Sequence, residues 1–441
     1  MNFQQSLEYL LSLGNEVLAM KLGLNSTEKL LAALGNPEQK ILKVQVAGTN
    51  GKGSTCAFLD AICRRAQIKT GLFTSPHLIS ITERIKINGA SISETDFAGH
   101  ATRIREISEK LVEENELEAV PTFFEQMTAI AVSVFAEAEI ELAILETGLG
   151  GRFDSVTATR AEIVAITPID YDHQQILGNT LAEIAFEKAA IIRADTRVIV
   201  APQKHEALQV ILTQCKKTAV LPLVNECEYS LENSPEVSFK TRNQIYPNIR
   251  VSLEGEHQNQ NACVAINLAE ILSKDFGFEI SFENIVNGLE NTEHKGRLEW
   301  WEGKQTRVLF DGAHNIAGAL ALKNYLQQKE TENTKITIVF GTMRDKDLAD
   351  IAAIVFPIAE TLILTKPDNP RSADVKELQK IAKKFVDKSK IFMVPDVAAA
   401  INSAKQITAT YSATKNSFIC ITGSIYLVGE AQKLLNNDSE F

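Results

Sequence analysis

Residues 41–65 constrain this chain more than any other stretch. Residues 41–47 (ILKVQVA) read as a buried strand. It passes straight into Gly48-Thr49-Asn50-Gly51-Lys52-Gly53-Ser54-Thr55, and a helical pattern follows to about Arg65. Strand, glycine-rich turn and helix in that order make a phosphate site. Glycines let backbone N–H groups curl round phosphate oxygens without Cβ clashes, and the helix N-terminus adds a favourable dipole. Lys52 would reach the β- and γ-phosphates as a point charge. The segment departs from the generic G-x-x-x-x-G-K-[ST] pattern, because Val46 stands at its first Gly position and Gly53 follows the lysine. An ordinary GTPase or kinase loop is therefore disfavoured.

The rest of the chain builds around that unit. Residues 5–13 (QSLEYLLSL) read as a helix stopped by Gly14-Asn15. A loop at 21–25 (KLGLN) follows. Asn25 and Glu28 fit a capping box opening a second helix, which ends at Gly35-Asn36-Pro37. The apolar runs ELAILE (141–146) and EIVAIT (162–167) read as further strands, with helical patterns such as 126–138 between strands. This alternation predicts a parallel, doubly wound sheet. Residues 215–255 are choppy and predict a small antiparallel excursion, followed by a helix over about 258–273. Residues 291–304 (NTEHKGRLEWWEGK) are polar and read as a domain linker. Strand-like runs then recur at 307–311, 335–340, 361–365, 390–394 and 417–422, separated by helical stretches. A chain of 441 residues exceeds what one core usually serves. The expected fold is α/β: a P-loop ATPase-type doubly wound domain over 1–295, then a smaller Rossmann-like α/β domain over 296–441.

Composition limits the partners. The net charge is -11, and no basic stripe with interleaved aromatics appears, which argues against nucleic acid. The six cysteines include no C-x-x-C pair, so structural zinc is disfavoured, and scattered thiols fit a reducing, cytoplasmic setting. The N-terminus lacks the basic n-region of a signal peptide, and no apolar run reaches about 18 residues, so no membrane span is expected.

The string VAGTNGKGST (46–55) resembles the Mur ligase superfamily, specifically its folylpolyglutamate synthase branch. The resemblance extends through FTSPHL (73–78), ERIKING (83–89), TFFE (122–125), ETGLGGRFD (146–154) and ITPIDYDH (166–173). It continues in EKAAII (187–192), GEHQNQNA (255–262), KGRLE (295–299), DGAHN (311–315), FGTMRDKD (340–347) and TGSIYLVGE (422–430). These blocks keep the family's order over most of the chain.

That resemblance implies an active site in the cleft between the two domains. Residue chemistry alone places Glu146 at a strand end, where an acidic Mg²⁺ ligand of an ATPase would sit, and His173 on the same rim. Ser75 could supply a hydroxyl there. The family likeness assigns Ser75, Glu146, His173 and Lys188 to two Mg²⁺ sites, with Lys188 carbamylated. By pattern alone Lys188 reads as a solvated helix residue. Mg²⁺ prefers oxygen, so an imidazole ligand is unusual, while a carbamate would restore oxygen. ATP would lie on Thr49, Asn50, Gly51, Lys52, Gly53 and Ser54. The family likeness adds Asn261, Arg297 and Asp311, and His314 either covers the nucleotide or caps a helix. Catalytic roles fall on Lys52, Lys188 and His173. Phe123 and Phe124, either stacking on a pteridine or packing in the core, and Arg152, Phe153 and Asp154 are substrate candidates, with the KLGL loop. His77 and His257 are given no catalytic role. Ile316 stands where the family often has Pro.

The expected activity is an ATP-dependent amide ligation. It adds L-glutamate to dihydropteroate, to tetrahydrofolate (poly)glutamates, or to both, through an acyl phosphate, in a monomer. A Mur-type ligase of another acid, or a P-loop nucleotide switch, is the alternative.

Overall fold

The computed structural model describes residues 1–14, 23–233, 235–303, 307–329, 334–411 and 417–437. Asn15 and the Lys21-Leu22 part of the KLGL loop lie outside them.

The first lobe is built on an eight-stranded sheet of β1 (Leu42–Ala47), β2 (Thr70–Phe73), β3 (Ile85–Ile87), β4 (Ala90–Ser91), β5 (Leu142–Glu146), β6 (Ile163–Ile166), β7 (Arg197–Val200) and β8 (Leu223–Val224). Its spatial order is β4-β3-β2-β5-β1-β6-β7-β8. Strands β2, β5, β1, β6, β7 and β8 run parallel. Strand β5 shows why the sheet is covered on both faces. Ile144 joins a core with Val44, Val46, Phe58 and Ile62, while its neighbours Ala143 and Leu145 join another with Met127, Ile130 and Phe135. Successive residues of a strand point to opposite faces, so an uninterrupted apolar run needs helices on both sides. The helices Lys52–Arg65 and His257–Phe276 supply one side, and Phe123–Glu137 the other.

A three-stranded antiparallel sheet follows, made of β9 (Cys227–Asn233), β10 (Glu236–Thr241) and β11 (Ile245–Ile249). It is the predicted excursion, with narrower bounds. Residues 215–217 still belong to the helix His205–Lys217, and β8 extends the large sheet.

The second lobe has six strands: β12 (Glu299–Glu302), β13 (Arg307–Asp311), β14 (Ile336–Phe340), β15 (Thr361–Leu364), β16 (Ile391–Met393) and β17 (Phe418–Thr422). Their order is β12-β13-β17-β14-β15-β16, and all are parallel except β12. Leu309 packs with the helices Ile316–Lys329 and Leu348–Val355. Val308 and Phe310 pack on the opposite face with Val397–Thr410 and Ile425–Asn437.

Two local expectations are corrected. The stretch 291–304 is not linker throughout, because 299–302 is the antiparallel edge strand β12. Trp300 is anchored there by an Nε1–H bond to the Tyr325 hydroxyl (2.7 Å) and an edge contact on Phe418. The capping box at Asn25 and Glu28 does not form. Leu24 is the N-cap residue, no side chain caps this helix, and the Glu28 carboxylate faces Arg160 instead (3.6 Å). A capping box does open the first helix, Phe3–Ser12, between Asn2 and Gln5.

The lobes meet closely. A Cβ on Gly429, in the helix Ile425–Asn437, would fall 2.0 Å from the Leu78 carbonyl oxygen. Only glycine lets that helix rest on the Ser75–Leu78 turn of the first lobe.

Candidate active site

Strand register decides where the chemistry gathers. Val46 pairs with Glu146, Ala47 with Ile166 and Phe73 with Leu145. The phosphate loop, Glu146, the 167–173 segment and the Ser75 turn therefore leave one edge of the sheet together. In the second lobe Asp311 and Phe340 both pair with Thr422, so DGAHN, GTMRDKD and TGS also leave one edge. The two edges line a shared cavity of about 410 Å³. Ligands of open α/β sheets bind outside the carboxyl ends of the strands, where these residues stand.

The loop has the shape its sequence predicts. Gly51 has φ 87°, and a Cβ there would lie 2.2 Å from Asn261 Oδ1, so it needs glycine for both conformation and space. No side chain caps the helix that begins at Lys52. Its N-terminal dipole and N–H groups face the cavity, as an anion site requires. The Thr49 N–H and hydroxyl donate to the carbonyls of Pro168 and Asp170 (both 3.0 Å), fastening the loop to the end of β6. Lys52 Nζ rests on the Gly48 and Thr49 carbonyls (3.3 Å each).

Glu146 is 6% exposed, and its Oε2 accepts the Ser75 N–H at 3.0 Å. Burial raises its carboxyl above the usual range, against the pull of Lys52, the Ser75 bond, Arg297 and Arg84. Ser75 and Glu146 thus come together. On the other side of the loop Lys188 is buried, correcting the solvated-helix reading from pattern alone, and its Nζ donates to the Gly48 carbonyl at 2.8 Å. Burial, helped by Lys52, pulls its ammonium down to about 7, opposed by Asp172 and Asp154. His173 adopts a left-handed backbone (φ 51°) beside Asp172. Burial brings its imidazole down to about 4, so it is neutral at pH 7. Among the described residues no three His, Cys, Asp or Glu side chains form a ready metal cage.

Asn261 lies against the loop and bonds Gln258. Arg297 lies against the DGAHN turn, where a Cβ on Gly312 would meet its Nη1 at 3.0 Å. Asp311 accepts the N–H groups of Leu298 and Ala313, which orders that turn, and burial raises its carboxyl. His314 does not cap the following helix. Asn315 does, through Gly318 N–H (2.8 Å), and the helix opens at Ile316 without a proline.

The substrate candidates divide. Phe123 packs in the core, 4% exposed, with the Arg84 guanidinium 5.3 Å above its ring, and also borders the cavity. Phe124 and Phe153 line the cavity, and Phe124 covers Gly148. Asp154 lines it too, but its oxygens accept the Leu149 and Val156 N–H groups, so the carboxylate orders its own loop. Burial lifts it to about 6. Arg152 is not in the lining. It is half-exposed between Phe153 and Phe186, 3.7 Å from Glu187. His77 accepts Arg84 Nε–H (2.8 Å) and is structural. His257 is half-buried at the cavity lining, and desolvation brings its imidazole down to about 4.

Sequence reasoning missed Asp172, Asn315 and Lys346, which meet in the cavity. Each lies inside a block already singled out, but only long-range contact reveals the set.

A phosphate loop, a buried carboxylate and a buried lysine between two facing α/β sheets define a P-loop protein of the Mur ligase type. The Mur ligase middle domain matches residues 46–269, and the Mur ligase glutamate ligase domain matches 296–425. The dihydrofolate synthase/folylpolyglutamate synthase of Bacillus subtilis (strain 168) is 37% identical over 96% of this chain and 97% of its own. A Mycobacterium tuberculosis folylpolyglutamate synthase, complexed with ADP and AMPPCP, superposes with a TM-score of 0.88 at 28% identity, covering 98% of this chain and 99% of that one. The bifunctional folylpolyglutamate synthase/dihydrofolate synthase of Yersinia pestis, with AMPPNP and a Mn ion, gives 0.84 at 25% identity over 99% and 98%. The chain belongs to the Mur ligase family, in its folylpolyglutamate synthase/dihydrofolate synthase branch.

Proposed function

We propose that this protein is an ATP-dependent ligase that joins L-glutamate to dihydropteroate, to tetrahydrofolate (poly)glutamates, or to both, through an acyl phosphate. The supporting observation is that the carboxyl edges of both sheets open on one cavity, which is lined by the phosphate loop, Glu146 and Lys188 and also by Phe124 and Phe153. The nucleotide and the pteridine-bearing acid can thus meet without leaving the cleft.

Lys52 and the uncapped helix hold the phosphates, and Asn261 and Arg297 border the nucleotide. The residues also fit a divalent cation. Glu146 is a buried carboxylate whose lone pairs are not exhausted by the one N–H bond from Ser75, a residue that also lines the cavity. A second ion fits His173 and Lys188 if Lys188 is carbamylated. The neutral amine adds to CO₂ and releases one proton, giving a carbamate whose two oxygens share one negative charge. Such ions would spread the charge of the transferring phosphoryl group and screen it from the incoming carboxylates. Around them the chain orients the acid's carboxylate towards the γ-phosphate. It then admits glutamate from the second lobe's side and excludes water that would hydrolyse the activated acid. We divide the chain after residue 295 and read it as a monomer. The six buried free cysteines support a reducing, cytoplasmic setting. No described helix is long and apolar enough to cross a membrane.

Phosphate release tests this against the nucleotide-switch alternative. Purified protein with ATP and Mg²⁺ should release phosphate rapidly only when a folate acid and glutamate are both present. Steady hydrolysis without either would contradict the ligase reading.

A further inference from the structure

Asp172 is a carboxylate of the first lobe on which several groups of the second lobe converge within the cavity. It is nearly buried, with 10% of its side chain exposed, as is Lys346 with 8%. Lys346 Nζ donates to Asp172 Oδ1 at 2.6 Å. Asn315 Nδ2 donates to Asp172 Oδ2 at 3.1 Å, and His314 Nε2 lies 3.6 Å from the same oxygen. Asn315 Nδ2 also bonds Asn50 Oδ1 in the phosphate loop at 3.0 Å. Within its own lobe, among the described residues, the carboxylate accepts the neighbouring His173 N–H at 2.9 Å and faces the His173 ring. Three side chains from two different loops of one lobe thus meet one carboxylate of the other. They can do so only when the second lobe sits over the phosphate loop. A charged bond buried between two bodies is costly to break on one side, because the partner is left unpaired.

We propose that Asp172 is a closure latch, a positioning residue through which Lys346, His314 and Asn315 hold the lobes in the assembled arrangement. The latch sets the second lobe against Asn50 and His173 without touching the reacting atoms. Opening it separates the glutamate side of the cleft from the nucleotide side while each lobe keeps its own core.

Small-angle scattering on the full-length chain tests this independently of which acid the enzyme ligates, so its failure would not be a failure of the ligase reading. The single variants Lys346→Met and Asp172→Asn and the double variant are compared with the unaltered protein, with thermal melting as the check on folding. Each single variant should increase the radius of gyration with little change in melting. The double variant should open no further than the larger single effect, because both remove one interaction. In turnover assays kcat/KM should fall about tenfold or more, with the KM for glutamate rising. If Asp172→Asn fails to fold, Lys346→Met decides alone, since it lies on the other lobe and away from the metal-binding loop. A Lys346→Met protein with the native radius of gyration, or single effects that add in the double variant, would overturn the latch.

Discussion

Lys188→Ala is expected to lower kcat by about 10³-fold, with the protein still folded and still binding ATP. The physical reason is the place of this lysine. It is buried beside the phosphate loop, and its ammonium is pulled down to about 7 by burial and by Lys52. A large share is therefore the neutral amine near pH 7, the form that adds to CO₂. If the resulting carbamate holds an ion near His173, its loss forfeits several kcal/mol of charge stabilisation in the transition state. At 1.36 kcal/mol per factor of ten this gives the stated loss. Two comparisons sharpen the test. Formate or acetate, which can place a carboxylate in the vacated space, should restore part of the activity of Lys188→Ala. Lys188→Arg should stay inactive, because a guanidinium remains charged and forms no carbamate. Full activity in Lys188→Arg would rule the carbamate out.

Glu146→Gln should change activity and stability in opposite directions. Turnover should drop by about 10²- to 10³-fold, because the neutral amide keeps the Ser75 N–H bond but loses the charge that a divalent cation needs. Metal-free protein should instead melt higher, by the equivalent of about 1 kcal/mol, since a buried carboxylate that burial makes reluctant to ionise is replaced by a neutral isostere. Steady-state assays and thermal melts in chelator read the two effects. A lower melting temperature would mean that the Glu146 charge stabilises the fold and is not held there at a cost for function.

The sequence makes these residues legible to different degrees, for reasons that are local. β5 and β6 are apolar runs that stop at Glu146 and Thr167, and β1 is a β-prone run that stops at Gly48, so the edge that carries the phosphate site can be read from where each run ends. Lys188 is harder to read. Its helix pattern gives no sign of burial, which arises because Gly48 accepts its Nζ across 140 residues. Trp300 and Trp301 were hidden among the charges of 291–304, where a four-residue edge strand with glutamates at both ends resembles a polar connection. Asn25 has the residue type of a cap, yet the helix begins at Asn25 itself with Leu24 as its N-cap residue, and Glu28 faces Arg160, so residue type alone misplaces the helix start by one position. Arg152 belongs to a conspicuous block but stands outside the cavity lining, because Glu187 and two phenylalanine rings hold it at the surface. The meeting of Asp172 with Lys346, across 174 residues, leaves no trace in local sequence at all.

The most direct measurement is product analysis by mass spectrometry. Purified protein is given ATP, Mg²⁺ and L-glutamate with either dihydropteroate or a tetrahydrofolate. The account predicts one glutamyl increment on dihydropteroate, or successive increments on tetrahydrofolate, or both, each with stoichiometric ADP and phosphate. Folded, ATP-binding protein that adds glutamate to neither acid would contradict it.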